Sequence, residues 1–350
     1  MAKHLRVAIV GMGIGRPSGK GFEASKRGRV VALCDLVQQR MDDYAGELGR
    51  DVKTYTDYKK LCRDSEVDAV YVGTPNQLHV PIAMEAIRRG KHVLITKPLA
   101  DNLRNARRLV QAAESAGIVN MMSLSTRFSS DCAYLGKQAA AGAFGDIYYS
   151  RARSIRRSGI PDWNTGFIAA GGGAFRDMGV HVLDAAWWLL GRPRPISATG
   201  VSGAKFGPRG AGYWDYHKVP RKFSRQYDSD DYAGGFIRFE GGAGMQVESF
   251  WASHQPDDLQ IELFGTAGGA RLKPVTIYRT VDGAPQDVAV QMPKGKNNWQ
   301  LIAEHFIECV LDGAPCQAPL RDGLIVQEML EAVLASAAKG KEIRLDRGGS

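Results

Sequence analysis

Cysteine is scarce: five in 350 residues, at positions 34, 62, 132, 309 and 316. Their number is odd, they are scattered, and no CxxC occurs. That argues against a disulfide framework or a zinc site and fits a reducing cytoplasm. Long apolar runs are also missing. No stretch approaches the ~18–20 apolar residues of a spanning helix. The opening residues 1–6 run straight into a strand pattern, with no apolar core and small-residue cleavage site behind them, so no signal peptide is expected. There is no internal repeat, no low-complexity tract, no nucleic-acid motif and no basic helix with interleaved aromatics, so neither nucleic acid nor membrane is an expected partner.

What is present is ordinary soluble material: 44% hydrophobic and 24% charged residues, enough for two cores at this length. The formal charge is +9 and it is unevenly spread. Residues 1–122 hold 20 Lys+Arg against 13 Asp+Glu (+7), and the remainder 26 against 24 (+2). A basic first domain suits a polyanionic cofactor, and equally a solvated surface.

Residues 1–122 alternate strand and helix signals. Short apolar runs at Leu5–Val10, Val30–Cys34, Asp68–Val72, His92–Ile95 and Val119–Met122 are separated by helical stretches such as Val80–Arg89 and Arg104–Ala116. Gly90 and Gly117 stand where helix C-terminal glycines belong. Strands buried on both faces and separated by helices predict an α/β domain with a doubly wound parallel sheet, a Rossmann fold. From residue 123 to 350 the texture changes. Helices are expected at Asp131–Ala141, Asp177–Leu190, Asn298–Leu311 and Asp322–Ala338. Strands are expected at Ile147–Ile155, Ile196–Ser202, Tyr232–Phe239, Gly244–Trp251, Asp258–Phe264 and Thr276–Thr280. Strands joined without helices predict an α+β domain with a mainly antiparallel sheet. Gly203–Gln226, rich in Gly, Pro, Lys and Arg, reads as a long functional loop.

Three motifs carry chemistry. Val10-Gly11-Met12-Gly13-Ile14-Gly15-Arg16 follows the first strand: Gly11 permits the turn, and Gly13 lets the backbone approach a pyrophosphate at a helix N-terminus. Arg16 occupies the third glycine slot of the fingerprint, with Gly15 one place early. Asp35 ends the next strand 20 residues past Gly15, where an acid hydrogen-bonds the adenosine ribose. Its charge would repel a 2′-phosphate, which favours NAD; Arg40 nearby keeps NADP open. The second motif pairs Gly73-Thr74-Pro75-Asn76 and His79 with Thr96-Lys97-Pro98. Both loops follow parallel strands at the carboxyl edge, where ligands bind in such folds. Lys97 there can lower the pKa of a substrate hydroxyl or pass a proton. His79 reads as a packing or hydrogen-bonding residue at a helix start. The third motif is Gly171-Gly172-Gly173 leading to Asp177 and His181, four apart and so on one helix face, with Asp184 one further turn on. Histidine suits proton transfer near neutral pH, and a carboxylate would orient it. Trp187 and Trp188 read as core.

Together these residues resemble the glucose–fructose oxidoreductase, inositol dehydrogenase and MocA-type (Gfo/Idh/MocA) oxidoreductases, over essentially the whole chain. The family's lysine–proline motif usually begins with glutamate, where this sequence has Thr96. The resemblance implies a Rossmann domain, then a domain whose open antiparallel sheet forms dimer or tetramer contacts. It implies dinucleotide contacts from Gly11, Met12, Gly13, Ile14, Asp35, Leu36 and Arg40. Thr74, Pro75, Asn76, His79, Thr96, Lys97, Pro98 and Arg127 complete that implied set. It implies that Lys97, Asp177 and His181 are catalytic, His181 taking the hydroxyl proton while Lys97 and Asp177 bind and polarise the hydroxyl. On the substrate side, Trp163 would stack on a sugar face, and Arg153 or Arg156 would bind a hydroxyl or carboxylate. The expected activity is an NAD-dependent dehydrogenase or reductase of a sugar, sugar derivative or cyclic polyol, without a metal. Two alternatives stay open: an enzyme that retains its cofactor through transient oxidation and elimination, and a non-catalytic regulator.

Overall fold

The computed structural model describes residues 4–161, 165–169, 171–210, 224–293 and 295–345. The chain forms two compact units. The first comprises Met1–Phe128 and Gly295–Leu324, the second Ser129–Lys294 and Ile325–Ser350.

The first unit carries strands β1 (Leu5–Val10), β2 (Gly28–Cys34), β3 (Lys53–Tyr55), β4 (Ala69–Val72), β5 (His92–Ile95) and β6 (Asn120–Met122). All pair in parallel, in the order β3-β2-β1-β4-β5-β6. That is the order of a dinucleotide-binding Rossmann sheet, with its switch point between β1 and β4. The helices between the strands are α1 (Gly15–Ala24), α2 (Gln38–Leu48), α3 (Tyr58–Cys62), α4 (His79–Arg88) and α5 (Leu103–Ser115). Gly90 and Gly117 adopt φ of +66° and +61° just past α4 and α5, as their positions predict. Every residue of β4 is buried, as a strand covered on both faces must be.

The second unit carries helices α6 (Ser130–Ala140), α7 (Thr165–Ile168) and α8 (Val180–Leu189) against strands β7 (Ile147–Ile155) to β15 (Ile343–Arg344). Between these two strands lie β8 (Pro195–Gly203), β9 (Tyr232–Phe239), β10 (Gly244–Phe250), β11 (Asp258–Gly265), β12 (Gly268–Arg271), β13 (Thr276–Val281) and β14 (Ala284–Ala289). They form one sheet in the order β14-β13-β12-β11-β7-β10-β9-β8-β15. Its pairs are antiparallel except β10 with β7. Alternation sends Ala152, Val247, Ile261 and Ile237 into the core under α8, with Leu183, Ala186 and Trp187 facing them.

The units do not divide at residue 122. Helix α9 (Asn298–Leu311) packs on α1, and its Ile302, Phe306 and Ile307 join the first unit's core. Phe306 meets Phe22 edge-on at 6.2 Å. A Cβ on Gly21 would lie 2.6 Å from the Trp299 carbonyl carbon, so glycine lets α1 and α9 touch backbone to backbone. The last helix, α10 (Leu320–Lys339), gives Leu320 and Leu324 to the first core and Met329 and Val333 to the second.

Candidate active site

In the first unit, the loops after β1, β2, β4 and β5 share the carboxyl edge of the sheet. Gly11 leaves β1 at φ +90°, and a Cβ there would lie 2.6 Å from the Gly73 carbonyl oxygen. The first and second motifs therefore interlock through bare backbone. Asp35 is drawn into the same corner. Its carboxylate accepts from the Met12 amide at 2.7 Å and from the Val37 amide at 3.0 Å, while Arg40 approaches to 3.9 Å. The side chain of Arg40 is 62% exposed against 10% for Asp35, so the carboxylate is the fixed partner.

His79 clasps the two loops of the second motif. It is 1% exposed, with Nδ1 2.7 Å from the Pro98 carbonyl oxygen and Nε2 2.8 Å from that of Thr74. Burial pushes its pKa below the ordinary 6.5, against the pull of those carbonyls. A ring sealed in this way holds the loops in place; it has no face left for a ligand. Thr96 is buried and donates its amide to the Val72 carbonyl at 3.0 Å. Lys97 follows, half-buried, with a cis peptide to Pro98.

These residues fit a dinucleotide. Nothing lies within 4 Å of where a Cβ on Gly13 would stand, so the backbone is open there. Thr74 Oγ1 is buried without a hydrogen-bond partner. The large apolar side chains that stand exposed among the described residues of this unit are Ile14 (39%), Leu36 (84%), Val37 (45%) and Leu78 (41%). All four follow β1, β2 or β4 at the carboxyl edge, where apolar surface awaits a ligand's ring systems.

Arg127 is corrected. It has no exposed surface, and its Nη1 donates to the Gln317 carbonyl and to Asp322, both at 2.6 Å. A guanidinium consumed by a buried carboxylate anchors the polypeptide and does not reach a cofactor.

In the second unit, residues Phe175–Gly179 form one wide turn with π-type hydrogen bonding before α8 begins. Asp177 lies in that turn and accepts from Trp251 Nε1 at 3.2 Å. His181 opens α8, and both residues are half-buried. The glycine run has a structural cause. Gly173, at φ +109°, lies against Asp230, whose carboxylate accepts the Phe175 amide at 2.9 Å and whose carbonyl accepts the Ala174 amide. Burial raises the pKa of Asp230. Its neighbour Asp231, fully buried, accepts from the amides of Lys205, Phe206 and Gly207. Sequence reasoning missed both; two consecutive acids entering an apolar strand were the available signal.

Arg153 is also corrected. Strand alternation puts Ala152 and Ser154 under α8 and Arg153 on the opposite face, clamped by Asp258 and, at 2.9 Å, Glu262. It cannot join residues on the α8 side. Arg156, in the loop beyond β7, does lie there, its Nη2 3.1 Å from Met178 Sδ. Trp163 falls outside the described residues.

A parallel 3-2-1-4-5-6 sheet with a glycine turn and a ribose-type acid at its carboxyl edge defines a Rossmann dinucleotide-binding protein. Comparison with known proteins narrows the class. The sequence model described as "Oxidoreductase family, NAD-binding Rossmann fold" matches residues 5–124, and the "GFO/IDH/MocA C-terminal domain" matches residues 133–271. The chain belongs to the Gfo/Idh/MocA oxidoreductase family and binds NAD through its first domain. It is 28% identical to D-glucoside 3-dehydrogenase of Escherichia coli, over 97% of each chain. It is 27% identical to scyllo-inositol 2-dehydrogenase (NAD(+)) of Bacillus subtilis, over 99% of this chain and 98% of that one. Its fold matches levoglucosan dehydrogenase in complex with NADH and levoglucosan at a TM-score of 0.85, with 21% identity over 99% of this chain and 100% of that one. Among the described residues no helix is long and apolar enough to cross a membrane.

Proposed function

We propose that this chain is an NAD-dependent dehydrogenase or reductase acting at a CH–OH carbon of a sugar, sugar derivative or cyclic polyol. The observation that carries the reading is the carboxyl edge of the first unit: an open Gly13, a fixed Asp35 and a rim of exposed apolar side chains. The names of the glucoside and inositol dehydrogenases support the substrate class.

In this reading Gly11, Met12, Gly13 and Ile14 cradle the pyrophosphate. Asp35 accepts from the adenosine ribose and Leu36 covers the adenine. Thr74, Pro75, Asn76, Thr96, Lys97 and Pro98 border the nicotinamide, with His79 holding their loops. Bound nicotinamide supplies the hydride acceptor. His181 takes the hydroxyl proton as general base, and Asp177 orients the hydroxyl from a turn braced by Trp251. The Lys97 ammonium stabilises the charge that develops on the oxygen. Arg156 offers donors to a more distant hydroxyl or carboxylate.

We assign self-association, as a dimer or tetramer, to the face of the second sheet turned away from α8. Tyr149 there lies 6.0 Å from Phe236 and 5.7 Å from Phe264. Five free cysteines support a reducing cytoplasmic setting.

The test is incubation of the purified protein with NAD and a panel of polyols, glycosides and aldoses while reduced cofactor is monitored. Turnover of at least one member is expected. Demonstrated NAD binding without turnover of any would overturn the reading.

A further inference from the structure

His305 and Cys309 stand four apart on the last turns of α9, on one helix face. The chain then leaves α9 and returns Cys316 to the same place. The His305 ring nitrogen and the two sulfurs all lie within 4.8 Å of one another. Nε2 of His305 is 3.5 Å from Cys309 Sγ. An ion held tetrahedrally, with bonds of ~2.0–2.1 Å to nitrogen and ~2.3 Å to sulfur, sets those two ligand atoms ~3.5 Å apart. His305 and Cys309 are buried, at 9% and 4% exposure, and Cys316 is half-buried, which leaves a way in.

The nitrogen that would ligate is Nε2. The Gln317 amide donates to Nε2 at 2.9 Å, so this nitrogen carries a lone pair and Nδ1 carries the hydrogen. Nδ1 in turn faces Glu308 Oε2 at 3.9 Å. At that separation the carboxylate attracts the ring without hydrogen-bonding it; a closer approach would orient a metal-bound imidazole. Both thiols are free of disulfides.

We propose that His305, Cys309 and Cys316 form a three-ligand site for a thiophilic divalent cation of zinc's class, with water in the fourth position. Two thiolates and an imidazole select such an ion over magnesium or calcium. On binding, each thiol releases its proton and forms a metal–sulfur bond, and the ion replaces the Gln317 amide at the Nε2 lone pair. No redox step is involved. The role is structural. The segment after Cys316 runs along β6: the Met122 amide donates to the Ala318 carbonyl at 2.8 Å, the Leu320 amide to Asn120 Oδ1 at 3.1 Å, and Arg127 holds the Gln317 carbonyl. An ion at this cluster ties the end of α9 to that edge. The sequence hid the site because its spacing, His-x3-Cys-x6-Cys, contains no CxxC.

The test uses the full chain, reduced, stripped with a chelator and then titrated with cobalt(II). A thiolate-to-cobalt charge-transfer band saturating at one ion per chain is expected, with displacement by zinc and a raised Tm. C309S and C316S should each weaken cobalt binding ~100-fold or more, while NAD binding, read by fluorescence, is retained and reports that both variants fold. Absence of the band in the wild-type protein would overturn the proposal. So would a band that survives C316S, or loss of two thiols to a disulfide with no metal taken up.

Discussion

In the proposed function, Asp35 selects the cofactor with a single carboxylate. The Met12 and Val37 amides fix it in place, and it stands at the end of β2 where an adenosine ribose would be read. A hydroxyl there gains a charge-assisted hydrogen bond, whereas a phosphate meets a like charge. D35S should therefore lower kcat/KM with NAD by ~10- to 100-fold and raise the NADP:NAD preference, with exposed Arg40 newly available to the 2′-phosphate. An unchanged preference in steady-state kinetics would remove Asp35 from that role. His79 is the second residue with a clear outcome. Burial holds its pKa below 6.5 in the folded chain, so the unfolded chain takes a proton first as pH falls. Its contribution is fully present above pH 6.5 and is lost as pH drops through the folded value. Urea unfolding of the wild type should show a stability loss across that window that is missing in H79N.

Elements explain the two places where residues and pattern disagreed. Arg16 sits in the fingerprint's third glycine slot without harm, because the packing contact that slot usually serves belongs to Gly15. A Cβ on Gly15 would lie 2.7 Å from Ile9 Cγ2 on β1, while Arg16 turns outward to pair with Glu47. G15A should cost ~1–3 kcal/mol in chemical denaturation and weaken NAD binding, whereas R16A should leave the denaturation midpoint nearly unchanged. Equal effects would refute this division of labour. The sequence predicts an ordinary helix from Asp177 to Leu190, where the structure has a π-type turn at Phe175–Gly179 before α8. The Phe175 amide that opens that turn is held by the Asp230 carboxylate, 55 residues away in sequence and invisible to local periodicity. The strongly periodic elements were legible: β1, β5, β7, β9 and α9 fall at the expected residues. The strands β3, β12, β14 and β15 were not: all are short, polar or glycine-bearing, three of them stand at sheet edges, and such strands carry little hydrophobic signal.

At the scale of the whole molecule, the two-domain order was legible but the return of α9 to the first unit was not. Its apolar stripe of Ile302, Phe306 and Ile307 would satisfy either core by pattern, and the contacts that seat it on α1, at Gly21 and between Phe22 and Phe306, lie far apart in sequence. The ion-paired arginines were equally hidden: nothing local distinguishes the buried Arg127 or the clamped Arg153 from a ligand-binding arginine. The second sheet presents an outer face of aromatic rings and paired charges, with Tyr149 between Phe236 and Phe264, and Arg151 4.9 Å over the Phe264 ring and 3.4 Å from Glu262. Under the proposed self-association through this face, F264D should lower the sedimentation coefficient in sedimentation velocity while leaving the far-ultraviolet spectrum unchanged; an unaltered coefficient would remove the face from that role.

The central claim is that one histidine, at the start of α8, removes a hydroxyl proton in an NAD-linked oxidation. Steady-state reduction of NAD by the best polyol or sugar substrate, compared between the wild type and H181A, tests it most directly. A kcat lower by ~100- to 10,000-fold in H181A, with NAD affinity unchanged, is expected. Wild-type turnover in H181A would contradict it.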